Sequence, residues 1–310
     1  MHTESDIFIW RKLMNQRKRQ VLDNALQLFI EKGFHETSIQ DILDKALISK
    51  GTFYNYFSSK VECFTAIMEQ TRYEASLLRH EMLLNQDNTD ENLLLEQILV
   101  LMQINKKQNL ASVFENIFQS NDKELRELLE RYRLLEIEWV SNRFTDIFGE
   151  KVRPYTLELA ILFFAMVHHL TYCHRLFYRD MIDPKRILRI ALRNIKAIYP
   201  SMLENGEILI TQDALQLVEE KKIYQSVTKS DLIEKVQGFL DQLKLDAANG
   251  VGAQFTESIL DELQRDELRI AVIEALLKPF REAFTNTPHA GENVELANLL
   301  WFYIKNVENK

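Results

Sequence analysis

The residues best suited to do chemistry in this chain lie between Thr37 and Lys60, in the stretch TSIQDILDKALISKGTFYNYFSSK. Lys50, Gly51, Thr52, Tyr54, Asn55 and Tyr56 follow one another within two helical turns. Ammonium, hydroxyl and amide groups of this kind meet phosphates and base edges. Gly51 has no side chain, so backbone there can approach a duplex closely. Thr37, Tyr54, Tyr56 and Lys60 are the candidates for phosphate contacts, since hydroxyls and ammonium groups donate well to phosphate oxygens. Gln40, Lys50, Thr52 and Asn55 are the candidates for base edges: Gln and Asn pair with adenine, Lys with guanine.

The elements that must hold these groups are short. Ile39, Ile42 and Leu43 place apolar groups one turn apart on a first helix. Residues 46–48 can only turn, Ser49 is a good N-cap, and a second helix covers 50–57 with Phe53 and Phe57 inward. Ser58 is expected to cap a third helix. Such a helix pair can seat its second helix in a major groove. The plainer alternative is an ordinary helical hairpin with an aromatic core, in which Tyr54 too is largely buried.

This segment resembles the DNA-binding domain of the tetracycline-repressor (TetR/AcrR) family. The resemblance runs through Ala25, Phe29, Gly33, Phe34, Thr37, Ile39, Ile42, Ala46, Ile48, Ser49, Gly51, Phe53, Tyr54, Tyr56, Phe57 and Lys60, without a gap. It covers roughly the first fifth of the chain, with Leu43 where the family usually has Ala and Leu47 where its turn usually has Gly. It implies an all-α protein with a double-stranded DNA operator as partner, a homodimer, and a small-molecule effector. It also places Arg17 and Lys18, with Arg19, near phosphates or the minor groove.

The charge distribution agrees. The 310 residues carry a net −8, yet residues 1–60 hold nine Lys/Arg against seven Asp/Glu, so the remainder is the acidic part. Arg11, Lys12, Arg17, Lys18 and Arg19 occur with no acid between residues 7 and 22. A basic end on an acidic body orients a protein on a duplex; a solvated charge run before a helix is the bland alternative. Few Gly and Pro argue against strands. Two cysteines suggest no disulfide framework, no signal peptide is visible, and the longest apolar run, 159–167, is short of a membrane span. A cytoplasmic protein is expected, with no membrane association.

In order, 1–60 reads as the DNA-binding domain with an N-terminal extension, where Ile7–Trp10 pack on the domain or lie beside DNA. A brace helix is expected over 16–32 and a long helix over 59–84. Residues 61–200 read as a ligand-binding and dimerisation domain with helices near 91–105, 107–119, 122–148, 154–180 and 184–199. By position, the last two resemble the pair through which the family dimerises. Leu159, Leu162, Phe163, Met166, Val167 and Leu170 would form one seam, and Ile187, Ile190, Ala191, Ile195 and Ile198 the other; intramolecular core is the alternative.

Residues 201–310 form an additional helical domain that is a candidate repeat of the body. Three short stretches echo earlier ones in order, which would match helices near 231–245, 254–284 and 292–306 to those near 92–105, 118–148 and 155–169. For an effector, Phe114, Phe118, Trp139, Phe163 and His169 are candidates to line a pocket, or are simply core. His169 and Cys173 are spaced one turn apart, as metal ligands could be, but no partner on a second helix is evident, and neither a metal nor a cofactor is expected. No phosphate-cradling loop, GxSxG or HExxH is present, so the chain does not read as an enzyme. The favoured function is a ligand-responsive transcriptional regulator, a repressor that binds a near-palindromic operator as a homodimer. A helical protein-interaction module, or a small-molecule-binding protein with lost or secondary DNA binding, is the alternative.

Overall fold

A computed structural model describes residues 4–84, 86–119, 122–179, 183–215, 228–245 and 250–308. All regular structure among them is helical. The elements are α1 (Glu4–Lys32), α2 (Ile39–Ala46), α3 (Lys50–Tyr56), α4 (Lys60–Leu83), α5 (Glu91–Lys107), α6 (Leu110–Gln119), α7 (Lys123–Phe148), α8 (Thr156–Tyr178), α9 (Pro184–Asn205), α10 (Lys229–Leu245), α11 (Val251–Gln264), α12 (Ile270–Glu282) and α13 (Ala290–Glu308). Helix α1 begins well before the expected residue 16; the side chains of Ile7–Trp10 lie outside the described residues.

Local chemistry explains most boundaries. Asp122 caps α7 by accepting from Leu125 N, and Gly149 ends it at φ +89°. Asp183 caps α9, with Pro184 in its first turn. Thr228 and Asp231 bond reciprocally across the first turn of α10, a capping box.

The chain divides into two compact units, and not at the boundaries expected from sequence. One unit takes residues 1–81 together with 225–310; the other takes 82–224. The second unit is the body. Its core includes Leu94, Ile98, Phe144, Leu159, Phe163, Leu188 and Ile195 from α5, α7, α8 and α9. The strand of chain after α9 belongs to it as well: Gln212 donates to Thr156 Oγ1 at 3.0 Å, and Leu209 N donates to Glu158.

This corrects two expectations. The α9 seam is intramolecular core, because Ile187, Ala191 and Ile195 are buried, and Leu159 and Phe163 of α8 are buried with it. The stretch Glu150–Tyr178 is long and apolar enough to cross a membrane by length and composition. Its first half is nevertheless core, while the second half exposes Leu170, Tyr172, Leu176, Phe177 and Tyr178.

In the first unit, α10–α13 form a bundle around Phe239, Leu243, Ile259, Leu277, Phe280 and Ile304. The side of α4 joins this core, with Leu77 fully packed among its residues. One of the three expected matches to the body differs. The expected long helix 254–284 is two helices of 14 and 13 residues, broken at 265–269, where the body has the unbroken 26-residue α7. The break follows its chemistry: Arg265 and Arg269 both pair with Glu262, drawing the chain back on itself.

Glu81, on α4, is buried and is gripped by the Arg281 guanidinium, Nε donating at 2.9 Å with a second bond from Nη2. Burial pushes the Glu81 carboxyl upward, and Arg281 opposes this. Removing one partner strands a charge out of water. Arg281→Met is therefore expected to lower unfolding free energy by about 3 kcal/mol. The double replacement Glu81→Leu with Arg281→Met should recover most of the loss, as read by denaturant titration.

Candidate DNA-binding surface

An aromatic cluster sets the reading head. Phe29, Phe34 and Phe64 from α1, the following turn and α4 are buried with ring centroids 4.9–5.9 Å apart. Phe53 and Phe57 of the α3 segment are buried in their turn, 5.6 Å apart, as expected from their spacing. Cys63 is sealed in the same interior, where burial pushes its thiol up to about 12, which suits packing rather than nucleophilic work.

One capping box and one simple cap hold the helix pair. Ser38 Oγ accepts from Asp41 N at 3.1 Å while Asp41 accepts from Ser38 N at 2.8 Å. Ser49 accepts from Thr52 N at 3.1 Å and caps α3 as expected. At α4 the cap falls one residue later than expected: Ser59 Oγ accepts from Glu62 N at 3.0 Å, and Ser58 instead donates to the Glu62 carboxylate. The S-x-x-D pattern was the signal available for the unforeseen Ser38–Asp41 box.

The turn between α2 and α3 is closed by Leu47 at φ +53°, where its N–H donates to Leu43 O and its side chain stands 87% exposed. Glycine adopts this left-handed backbone freely, whereas Leu47 meets it under strain.

Above this frame, Gln40, Lys50, Gly51, Tyr54 and Asn55 are exposed, and Thr52, Tyr56 and Lys18 are half-buried. Lys50 Nζ lies 5.9 Å from the Tyr54 ring centroid, and Gln40 donates to Asp44. Arg17 is exposed near Tyr56, whose hydroxyl oxygen is buried without a hydrogen-bond partner among the described residues. A Cβ on Gly51 would meet nothing nearer than Ser49 Oγ at 3.8 Å. Nothing inside the fold therefore asks for glycine there.

Two expected phosphate contacts are corrected. Thr37 is fully buried, its hydroxyl donating to Gly33 O at 2.8 Å. Lys60 donates to Phe34 O at 2.7 Å and Thr37 O at 2.6 Å, and lies 4.4 Å from the Phe34 ring centroid. Both residues staple the α1–α2 connection, since its buried carbonyls need donors.

The effector candidates differ in their surroundings. Phe163 is core against Phe144, Trp139 lies at the core margin, Phe114 is half-buried, and His169 is exposed with Cys173 Sγ 3.6 Å from Nε2. The side chain of Phe118 lies outside the described residues. Among the described residues no group of three or more His, Cys, Asp and Glu is placed to hold a metal.

Residues 21–67 match the bacterial regulatory proteins of the tetR family. Over most of its length the chain is similar to two Bacillus subtilis (strain 168) proteins described as uncharacterized HTH-type transcriptional regulators. YuxN is 21% identical over 278 residues, covering 87% of this chain and 94% of the relative. YerO is 24% identical over 277 residues, covering 85% and 89%. Alignments of that extent must enter the C-terminal bundle. A 56-residue stretch is 34% identical to the HTH-type transcriptional activator FasR of Mycolicibacterium smegmatis, covering 18% of this chain and 26% of the relative. No solved structure matches the chain.

Replacing Leu47 by Gly should relieve the left-handed strain and raise stability by about 0.5–1 kcal/mol, the gain being trimmed by glycine's unfolded-state entropy. Lys60→Met should act oppositely and lower the thermal midpoint, because three carbonyls lose their donor. A Lys60→Met protein as stable as the parent would refute the stapling role.

Proposed function

Belonging to the tetR family of bacterial regulatory proteins, this chain is a DNA-binding transcriptional regulator, and we propose that it works as a homodimeric, effector-responsive repressor of a near-palindromic operator. The observation that carries the DNA half of this reading is the outer face of α3. It presents Lys50, Gly51, Tyr54 and Asn55 to solvent over a buried Phe53–Phe57 underside, and Gly51 has no internal reason to be glycine. A helix so supported enters a major groove with its backbone close to the bases. Arg17 and Lys18 flank it as phosphate donors, whereas the buried Tyr56 hydroxyl is not placed to reach a phosphate.

The dimer reading is supported by the second half of α8. Leu170, Leu176 and Phe177 are exposed together, Phe177 at 76%, and apolar groups massed on one helix favour burial against a partner. A second copy offers the same face, and a two-fold interface is self-complementary. Two heads about 34–36 Å apart then meet successive major grooves. An effector taken up by the body shifts the population toward a dimer whose head spacing no longer fits, by as much as its affinities for the two states differ.

Selection of genomic duplexes with the purified protein, followed by sequencing, tests the function. Recovery of one inverted-repeat motif is expected; recovery of no preferred sequence sinks the operator reading. On the selected site, Lys50→Ala and Asn55→Ala should relax preference at particular base pairs by about 1–3 kcal/mol each. Gly51→Ala should abolish tight binding without lowering stability. For assembly, Leu170→Glu with Phe177→Glu should yield monomers in sedimentation and weaken operator binding at least tenfold. A parent protein that sediments as a monomer at micromolar concentration while binding its operator fully would refute the dimer.

A further inference from the structure

The C-terminal bundle is engaged with the head. Gly291, Glu295, Asn298 and Trp301 follow at steps of four, three and three residues, so they share one face of α13. That face meets α1 and α4. Arg19 Nη2 donates to Glu295 at 2.9 Å, and the Trp301 indole N–H donates to Ser76 Oγ at 2.8 Å. The Trp301 ring lies 4.1 Å from that of His80. The Arg19 guanidinium sits where a Cβ on residue 291 would be, 2.3 Å from Nη1, so glycine makes its seat.

We propose that the bundle is an intramolecular restraint on DNA binding: docked through this face of α13, it holds Arg19 away from duplex phosphates. Arg19 ends the acid-free basic run that also contains Arg17 and Lys18. Arg17 acts on Tyr56 and Lys18 lies 5.3 Å from the Phe57 ring centroid, so their neighbours are on the α3 side. Among the described residues, Arg19 alone of the three pairs with an acid of the bundle.

The restraint is built to be exchangeable. The Arg19–Glu295 pair keeps 23% and 31% of its side-chain surface in water, and partly exposed pairs are weak, so closely spaced phosphates can compete for the guanidinium. Residues 225–310 hold fourteen Asp/Glu against nine Lys/Arg, and such a surface beside the head repels the duplex. Asn298 is buried, and neither its amide nitrogen nor its oxygen finds a hydrogen-bond partner among the described residues. The docked state carries that cost, and an undocked, hydrated α13 does not. DNA favours the state in which Arg19 is released, by as much as its affinities for the two states differ.

The inference rests on the reading of residues 1–67 as a DNA-binding head. Its test is the salt dependence of duplex binding by the full-length protein, measured on random-sequence duplex. Glu295→Gln removes the acceptor; Gly291→Ala displaces Arg19 from its seat without changing any charge and with better helix propensity. Both variants should bind several-fold more tightly at low salt. Their log–log salt slopes should steepen by about one per engaged head. In an Arg19→Gln background neither change should have any effect.

Asn298→Leu should do the reverse, raising the thermal midpoint and weakening DNA binding. If Gly291→Ala and Glu295→Gln leave affinity and slope at parent values, or if their gain persists without Arg19, the restraint is refuted. If Asn298→Leu raises the midpoint with DNA binding unchanged, docking is structural only and the proposal also fails. A parent protein with no salt-dependent duplex binding would instead overturn the head assignment itself.

Discussion

Everything in the first unit hangs on α4 serving two hydrophobic cores. At its start, Cys63, Phe64, Ile67 and Met68 are buried with the aromatic cluster beneath the reading helix. Near its end, Leu77 is buried in the bundle, and Ser76 and Glu81 are bonded to Trp301 and Arg281. Closely packed interiors resist small displacements, so a helix shared by two cores transmits a shift in either to the other. Position of the reading helix and state of the bundle are therefore not independent quantities in this chain.

Within the head, small polar bonds decide geometry that hydrophobic burial leaves open. Burial would allow α2 and α3 to slide on α1. The reciprocal bonds of Ser38 with Asp41, the Ser49 cap and the Lys60 ammonium on three carbonyls fix where each helix begins. Each contributes on the order of 1 kcal/mol. Leu47 shows the opposite balance: the turn demands a left-handed residue, and surrounding structure imposes it on a side chain that gains nothing from burial.

The two halves of α8 illustrate why one apolar helix can have two roles. Leu157, Ala160 and Phe163 face α7 and α9 and are lost to solvent. Beyond Val167 the same helix shows aromatic and aliphatic groups to water. Its apolar character is continuous in sequence, and packing alone separates core from outer surface.

Sequence by itself determined the reading head almost residue by residue. The spacing of Phe53 and Phe57, the Ser49 cap and the exposed polar set at 50–55 are local properties, fixed by helical periodicity and by bonds within one turn. Most helix ends in the body were legible for the same reason, as with Asp183 and Pro184. Tertiary structure decided what periodicity cannot see. It buried Thr37 and turned Lys60 inward, because a carbonyl-rich connection from elsewhere in the chain needed donors. It gave the α9 seam to the body's own core, and it split the expected helix at 254–284 through the Glu262 ion pairs. It also joined residues 225–310 to the head across more than two hundred residues of sequence, as in the Arg19–Glu295 pair. Amphipathic helices carry no address for their partners, so which apolar faces meet is settled only when all of them compete for the same burial.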